Sequence, residues 1–393
     1  MDLFLDPATL AIRDDVRAFI AASLPAEMAA QIGQGFHPSR EDMAFWMTRL
    51  HGRGWAAPHW PAEFGGTDWT PLQRYIFDVE LAAADTPPRS FFAINLVGPI
   101  IYTFGSPEQK ARFLEPTLRG DIFWCQGFSE PDAGSDLASL RTRAVRDGDD
   151  YVITGRKIWT TEAHHADWLF ALVRTDPDVK PQAGISFVLI DMKSPGVEVR
   201  PIDTLEGQRN VNEVLLDNVR IPANQRVGAE GQGWEMAKFL LANERTASAE
   251  APNSWRDLAK LKAIMADKGA ARRVRDEGFR LRVARLEIDL IALEAALIAV
   301  LADVDGRLAG AASLLKVRGS EIRQRASGLL VEALGDYSMV FYPPPGDAVA
   351  ASAPGPAYAP GVMATLMYRR AATIYGGTNE VQRNIIARAV LGL

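Results

Sequence analysis

Tyr151-Val152-Ile153-Thr154-Gly155-Arg156-Lys157-Ile158-Trp159-Thr160-Thr161 is the stretch that decides the fold. Its first half is a short β-type run rich in β-branched and aromatic residues. Similar runs follow at Trp168–Val173, Ile185–Ile190 and Val197–Ile202, separated by Gly, Pro and Asp. Glu213–Leu216 and Val219–Ile221 read as two further strands. No helical pattern of 10–15 residues is interleaved among them, which argues against a doubly wound parallel sheet and for a small barrel or sandwich.

The texture changes on both sides of this block. Before about Arg119 the chain reads as helix, with Ile12, Val16, Phe19 and Ile20 on one face. A second helix carries Phe45, Trp46 and Leu50, and a third carries Tyr75, Ile76, Val79 and Leu81. Between them, Trp60–Gly66 is a turn-rich break. From Gly233 the chain returns to helix. Phe279, Val283, Leu286, Leu290, Leu293, Leu297 and Leu301 step by three and four, as in a helix of a bundle. Tyr342–Gly361 holds six prolines and reads as an extended loop. The expected division is a helical domain at 1–120, a β domain at 121–232 and a helical domain at 233–393.

Composition narrows the function. The chain has 393 residues, 48% hydrophobic and 23% charged, which suits a soluble globular protein of two or three domains. A net charge of −6 argues against nucleic-acid binding, which needs a basic face. Cys125 is the only cysteine, so there is no intrachain disulfide and no cysteine-rich metal site. The five histidines form no H-E-x-x-H pair, and no metal site is expected. Asp2 and Asp6 precede any positive charge, and the most apolar stretch, Leu290–Val304, is too short for a membrane span. A cytoplasmic protein is expected.

Two segments attract chemical interest. Gln126-Gly127-Phe128-Ser129-Glu130-Pro131-Asp132-Ala133-Gly134-Ser135-Asp136 gathers hydroxyls and backbone amides in a Pro/Gly-shaped loop. It is a nest for a phosphate or a flavin edge, or else a surface turn. On the β run, Trp159 and Thr161 fall on one face, where an indole and a hydroxyl meet a planar ring or simply pack in a core. Gly228-x-x-Gly231-x-Gly233 lacks the spacing of a dinucleotide fingerprint and reads as a structural turn.

Three separated segments, Phe128–Asp136, Trp159-Thr160-Thr161 and Ile374-Tyr375-Gly376-Gly377-Thr378-Asn379-Glu380-Val381-Gln382-Arg383, closely resemble the acyl-CoA dehydrogenase family. The resemblance spans essentially the whole chain. It implies a mainly α fold with a central β domain: an N-terminal α bundle, a middle β barrel and a C-terminal four-helix bundle. It further implies FAD, oxidation of an acyl-CoA thioester to the trans-2-enoyl-CoA, and electron-transfer flavoprotein as acceptor. By motif, Gln126, Phe128, Ser129 and Ser135 would line the flavin and pyrophosphate. Trp159 would pack on the isoalloxazine, Thr161 would bond its N5 edge, and Thr378 and Glu380 match positions near FAD.

Many family members hold the catalytic base in a Tyr-Glu-Gly-Thr motif. Here the segment is Tyr375-Gly376-Gly377-Thr378, and glycine takes no proton. Other members place a Glu-Arg pair on the first C-terminal helix, and Glu244-Arg245 matches it. The resemblance therefore implies Glu244 as base with Arg245 beside it.

Homotetrameric members share each FAD between subunits through Arg-x-x-Phe-Gly and Gln-x-x-Gly-Gly motifs. The first is not found between Ala249 and Phe279, and the second aligns with Glu332-Ala333-Leu334-Gly335-Asp336. Two carboxylates would then face a region that receives phosphates. The pattern resembles the large subunits of pimeloyl-CoA and steroid side-chain dehydrogenases, implying a related small subunit and an α2β2 assembly. The corresponding substrate is a dicarboxylyl-CoA or a bulky alicyclic or steroid side-chain thioester, with His164 and His165 as candidates for a distal carboxylate. A silent scaffold subunit and oxidase chemistry are the alternatives.

Overall fold

The computed structural model describes residues 5–247, 249–267, 269–303, 308, 310–342 and 353–393, apart from the side chains of 242–248. The elements run, in chain order, α1 (Pro7–Ser23), α2 (Ala26–Gly33), α3 (Arg40–His51), α4 (Pro71–Ala83), α5 (Gly98–Phe104) and α6 (Pro107–Arg119). Then come β1 (Trp124–Gly127), β2 (Arg143–Asp147), β3 (Asp150–Thr161), β4 (Trp168–Arg174), β5 (Ile185–Asp191), β6 (Val197–Ile202), β7 (Val211–Pro222) and β8 (Arg226–Val227). The chain closes with α7 (Gly233–Ala247), α8 (Ala251–Ala266), α9 (Glu277–Leu301), α10 (Ala311–Leu334), α11 (Val362–Arg369) and α12 (Asn379–Val390). The helical, β, helical order read from the sequence is present.

Two compact units divide these elements, one from Met1–Pro38, Trp69–Pro87 and Arg245–Leu393, the other from Ser39–Asp68 and Pro88–Glu244. In the second unit α3 starts at a capping box between Ser39 and Asp42, and α6 at one between Ser106 and Gln109. Gly120, at φ 81°, ends α6 in the left-handed conformation that glycine adopts without penalty.

The strands form one eight-stranded sheet in the order β6-β7-β3-β2-β4-β5-β8, with β1 pairing parallel to β4. Strands β4 and β5 pair antiparallel from Trp168↔Asp191 to Arg174↔Ile185 and are buried along all but their last residues. Burial on both faces explains why they read as unbroken apolar runs rather than alternating ones. The two short runs expected at 213–216 and 219–221 are instead a single strand, β7. Its pairing with β3 slips between Ile153↔Val219 and Gly155↔Leu216, and Asn218 there takes φ 53°. One extra residue bends the strand without ending it. A Cβ at Gly155 would lie 2.3 Å from the Thr142 hydroxyl, so only glycine fits opposite that bend.

In the first unit the apolar stripe of α9 is buried from Phe279 to Leu297 against Leu258 and Leu261 of α8 and Leu315, Ile322, Leu329 and Leu330 of α10. Each fully buried leucine contributes roughly 2 kcal/mol. Glu294 sits within this core, accepting from the Tyr75 hydroxyl at 2.6 Å and the Trp255 indole at 3.0 Å. The carboxylate is tolerated there because both donors meet it. Of the expected extended loop, residues 343–352 lie outside the described chain, and 353–361 are turns and irregular backbone. Among the described residues no helix is long and apolar enough to cross a membrane.

Candidate active site

Strand β1 delivers Gln126 half-buried beside Phe170 and then runs into the loop at 128–142. The Phe128 ring is core, edge-on to Phe170 and Phe187 at 5.9 and 6.2 Å, so only its backbone is left for a ligand. Glu130 and Ala133 bond each other's backbone at 3.0 Å twice, closing a tight turn, and Ser135 stands exposed just beyond it. The Glu130 carboxylate turns inward. It accepts from the amides of Arg141 at 2.6 Å and Thr142 at 2.9 Å, and from the Lys157 ammonium at 2.8 Å. Burial alone would raise the Glu130 pKa, but Lys157 and these bonds hold it below the usual carboxylate range.

On β3, strict alternation from the buried Lys157 would bury Trp159 as well. The register runs from Lys157↔Val214 to Thr160↔Asn212, three residues against two, so one residue is bulged. Trp159 takes φ 59°, an outlier for a bulky side chain. The bulge inverts the phase: Trp159 emerges 60% exposed, Thr160 returns to 1% and Thr161 is half-buried. Trp159 and Thr161 thus share one face, as the strand reading expected, and a bulge that the reading did not foresee turns that face away from the core. The Ile158 amide bonds the Ser129 carbonyl at 3.0 Å, so the loop and the bulge are adjacent.

This second unit therefore brings together Gln126, Phe128, Ser129, Trp159 and Thr161. Trp159 presents an exposed indole on strained backbone, a flat apolar face, and half-buried Ser129 and Thr161 lie on the adjoining loop and strand. That surface fits the tricyclic ring of a flavin. Next to it lies a titratable cluster. The His164 and His165 rings are 3.9 Å apart, and burial lowers both pKa values. The Asn212 amide nitrogen donates to the Thr160 carbonyl at 3.0 Å and meets His164 Nδ1 at 3.1 Å, which makes that nitrogen the acceptor in neutral imidazole. Burial raises the Glu162 carboxyl to about 7. Among the described residues no group of three metal-ligating side chains is placed to hold a metal.

The first unit holds the C-terminal motif. Gly376 and Gly377 take φ 63° and 80°, and Thr378 caps α12 by accepting from the Val381 amide at 3.2 Å. Glu380 is exposed on the first turn of α12, where its own amide lowers its pKa. Gly228 and Gly231, at φ 64° and 82°, lie between β8 and α7 as turn residues.

Glu244 and Arg245 lie on α7, and their side chains are outside the described ones. Just beyond the helix is a charged cluster that the sequence reading missed. Glu250, at φ 46°, lies 3.2 Å from Arg369, 3.4 Å from Arg323 and 3.3 Å from the Tyr375 hydroxyl. Arg323 is 1% exposed and bonds Asp257 at 3.0 Å. No local pattern flags these residues, because they converge from four separated segments. Glu332, one of the two carboxylates expected to face a phosphate-receiving region, forms a two-pronged pair with Arg282 at 2.7 and 2.6 Å. Its charge is met within the chain.

Three family models match the sequence: acyl-CoA dehydrogenase N-terminal domain over residues 6–121, middle domain over 125–219 and C-terminal domain over 231–391. The acyl-CoA dehydrogenase IpdE1 of Mycobacterium tuberculosis is 37% identical over 97% of each chain. Among solved structures, a chain of the ChsE4-ChsE5 complex from Mycobacterium tuberculosis superposes with a TM-score of 0.85 at 32% identity, covering 100% of this chain and 99% of its own. A chain of the Tcur3481-Tcur3483 steroid ACAD gives 0.86 at 31% identity with the same coverage. The chain belongs to the acyl-CoA dehydrogenase family, flavin-dependent oxidoreductases whose cofactor is FAD.

Proposed function

We propose that this chain dehydrogenates an acyl-CoA thioester between Cα and Cβ, giving the trans-2-enoyl-CoA. The observation that carries the reading is the bulge at Trp159, which leaves a strained indole exposed where β3 adjoins the Ser129 loop, a face on which a flavin ring would pack. When bound, FAD would supply the acceptor for the hydride leaving Cβ. Trp159 would hold the ring face, Thr161 would orient its edge, and Gln126, Ser129, Ser135 and the Phe128 backbone would bind its polar parts. Thr378 and Glu380 match family positions near FAD and would contact it there. Glu244 removes the Cα proton, with Arg245 balancing its charge. Gly376 supports this choice of base, because it leaves no carboxylate in the Tyr-x-Gly-Thr segment.

The three-part division at 1–120, 121–232 and 233–393 is the domain reading that accompanies this function. A bulky alicyclic or steroid side-chain CoA, or a dicarboxylyl-CoA, is the proposed substrate class. It is supported by likeness to the steroid ACAD. Likeness to chains solved as two-component complexes supports a related small subunit and an α2β2 assembly. Electron-transfer flavoprotein is the proposed acceptor. The test is co-purification from the native host, followed by a panel of acyl-CoA thioesters read by flavin bleaching. Bleaching by a bulky thioester supports the proposal, and a flavin that no thioester bleaches overturns it. Rapid oxygen consumption without electron-transfer flavoprotein would mark an oxidase instead.

A further inference from the structure

We propose that Lys157 and Glu130 are a positioning pair that zips the Ser129 loop to the Trp159 bulge and so shapes the flavin surface. The inference rests on the flavin reading above. Lys157 is 0% exposed and Glu130 8%. The single ammonium group donates to three acceptors on separate segments: Glu130 at 2.8 Å, the Leu172 carbonyl of β4 at 2.8 Å and the Phe128 carbonyl at 3.3 Å. Phe128 and Glu130 flank Ser129, whose own carbonyl takes the Ile158 amide at 3.0 Å. Three consecutive loop residues are therefore tied to two consecutive residues of β3. The next residue along β3 is Trp159.

Stability alone is a poor explanation for the pair. Two apolar side chains filling the same space often serve a core as well as, or better than, a buried ion pair. The ion pair adds direction. With its three donors occupied on the loop and on β4, the ammonium keeps β3 from sliding past them, so the register slip is held immediately after Lys157. Glu130 extends the hold to the far end of the loop through the amides of Arg141 and Thr142. Burial lowers the Lys157 pKa, and the Glu130 carboxylate opposes that shift in part.

The test uses the full chain with whichever subunit co-purifies, stripped of flavin and titrated with FAD by fluorescence quenching. Lys157→Met/Glu130→Gln removes both charges together and so avoids leaving one buried charge alone. The apo double variant should melt cooperatively, while its FAD dissociation constant rises about tenfold or more. The bound flavin should also lose the resolved shoulder of its visible band, a signature that reports ring environment rather than folding. A folded double variant with wild-type affinity and spectrum overturns the proposal. Glu130→Asp retains both charges but shortens the reach by one carbon, and it decides the matter if the double variant does not fold. It should show a smaller rise and a broadened band, and wild-type values would again overturn the pair. A wild-type protein that takes up no FAD would sink the proposed function itself, which is a separate outcome.

Discussion

The Glu250 carboxylate lies 3.2 Å from the Arg369 guanidinium, and the Tyr375 hydroxyl lies 3.3 Å from both. Tyr375 immediately precedes Gly376, the position where many family members carry their base. Burial alone would raise the Glu250 pKa, but Arg369 and Arg323 hold it below the usual 4.5. Because the folded value is depressed, the stability Glu250 contributes is complete above about 4.5 and is lost as pH falls through the folded value. Glu250→Ala leaves Arg323 and Arg369 without this counter-charge. Urea unfolding at neutral pH should show a loss of about 3 kcal/mol, the scale for breaking a buried pair on one side. The deficit relative to wild type should shrink in acid.

Trp159 should show opposed effects on stability and binding. Its left-handed backbone costs roughly 1–2 kcal/mol in a residue with a Cβ. Trp159→Gly removes that strain, so the flavin-free protein should gain up to about 1 kcal/mol in a denaturant titration. The same variant loses the exposed ring, and FAD should bind at least about tenfold more weakly. A variant that loses affinity without gaining stability would show that the bulge is not strained.

Glu162 predicts a pH dependence of the opposite sign to that of Glu250. Its folded pKa, about 7, stands above the usual 4.5 because burial disfavours the charge. The native state therefore binds more protons than the unfolded chain between these values, and stability falls as pH rises through that window. The loss is on the order of 3 kcal/mol at most, and less where water reaches the carboxylate. Glu162→Gln should flatten the stability profile between about pH 4.5 and 7. An unchanged slope would remove Glu162 as its source, because burial lowers the pKa values of His164 and His165 and so makes their contribution rise with pH, the opposite sign.

The architecture was legible in the sequence because its elements are long and periodic. The α9 stripe and the apolar runs of β4 and β5 each declare their type through burial on one side or both. The loop at Ser129 and the Trp159–Thr161 segment were legible as motifs. What the sequence hid was their junction. Alternation cannot reveal a bulge, so neither the outward turn of Trp159 nor the union of two expected strands into β7 could be read from pattern. Lys157 and Glu130 stood inside the quoted motifs, but a lysine on a β run reads as solvent-facing until its three acceptors are seen. The Glu250 cluster was invisible for another reason. Arg323, Asp257, Arg369 and Tyr375 come from separate segments, and only packing makes them neighbours.

The central claim, that Glu244 is the base of an acyl-CoA dehydrogenase, is tested most directly by single-turnover flavin bleaching. Wild-type and Glu244→Gln protein, each loaded with FAD and purified with the same partner, are mixed anaerobically with one bleaching thioester. The account predicts retained FAD and a bleaching rate lowered by about a thousandfold or more, the scale of losing a general base. Bleaching at the wild-type rate in Glu244→Gln would contradict it.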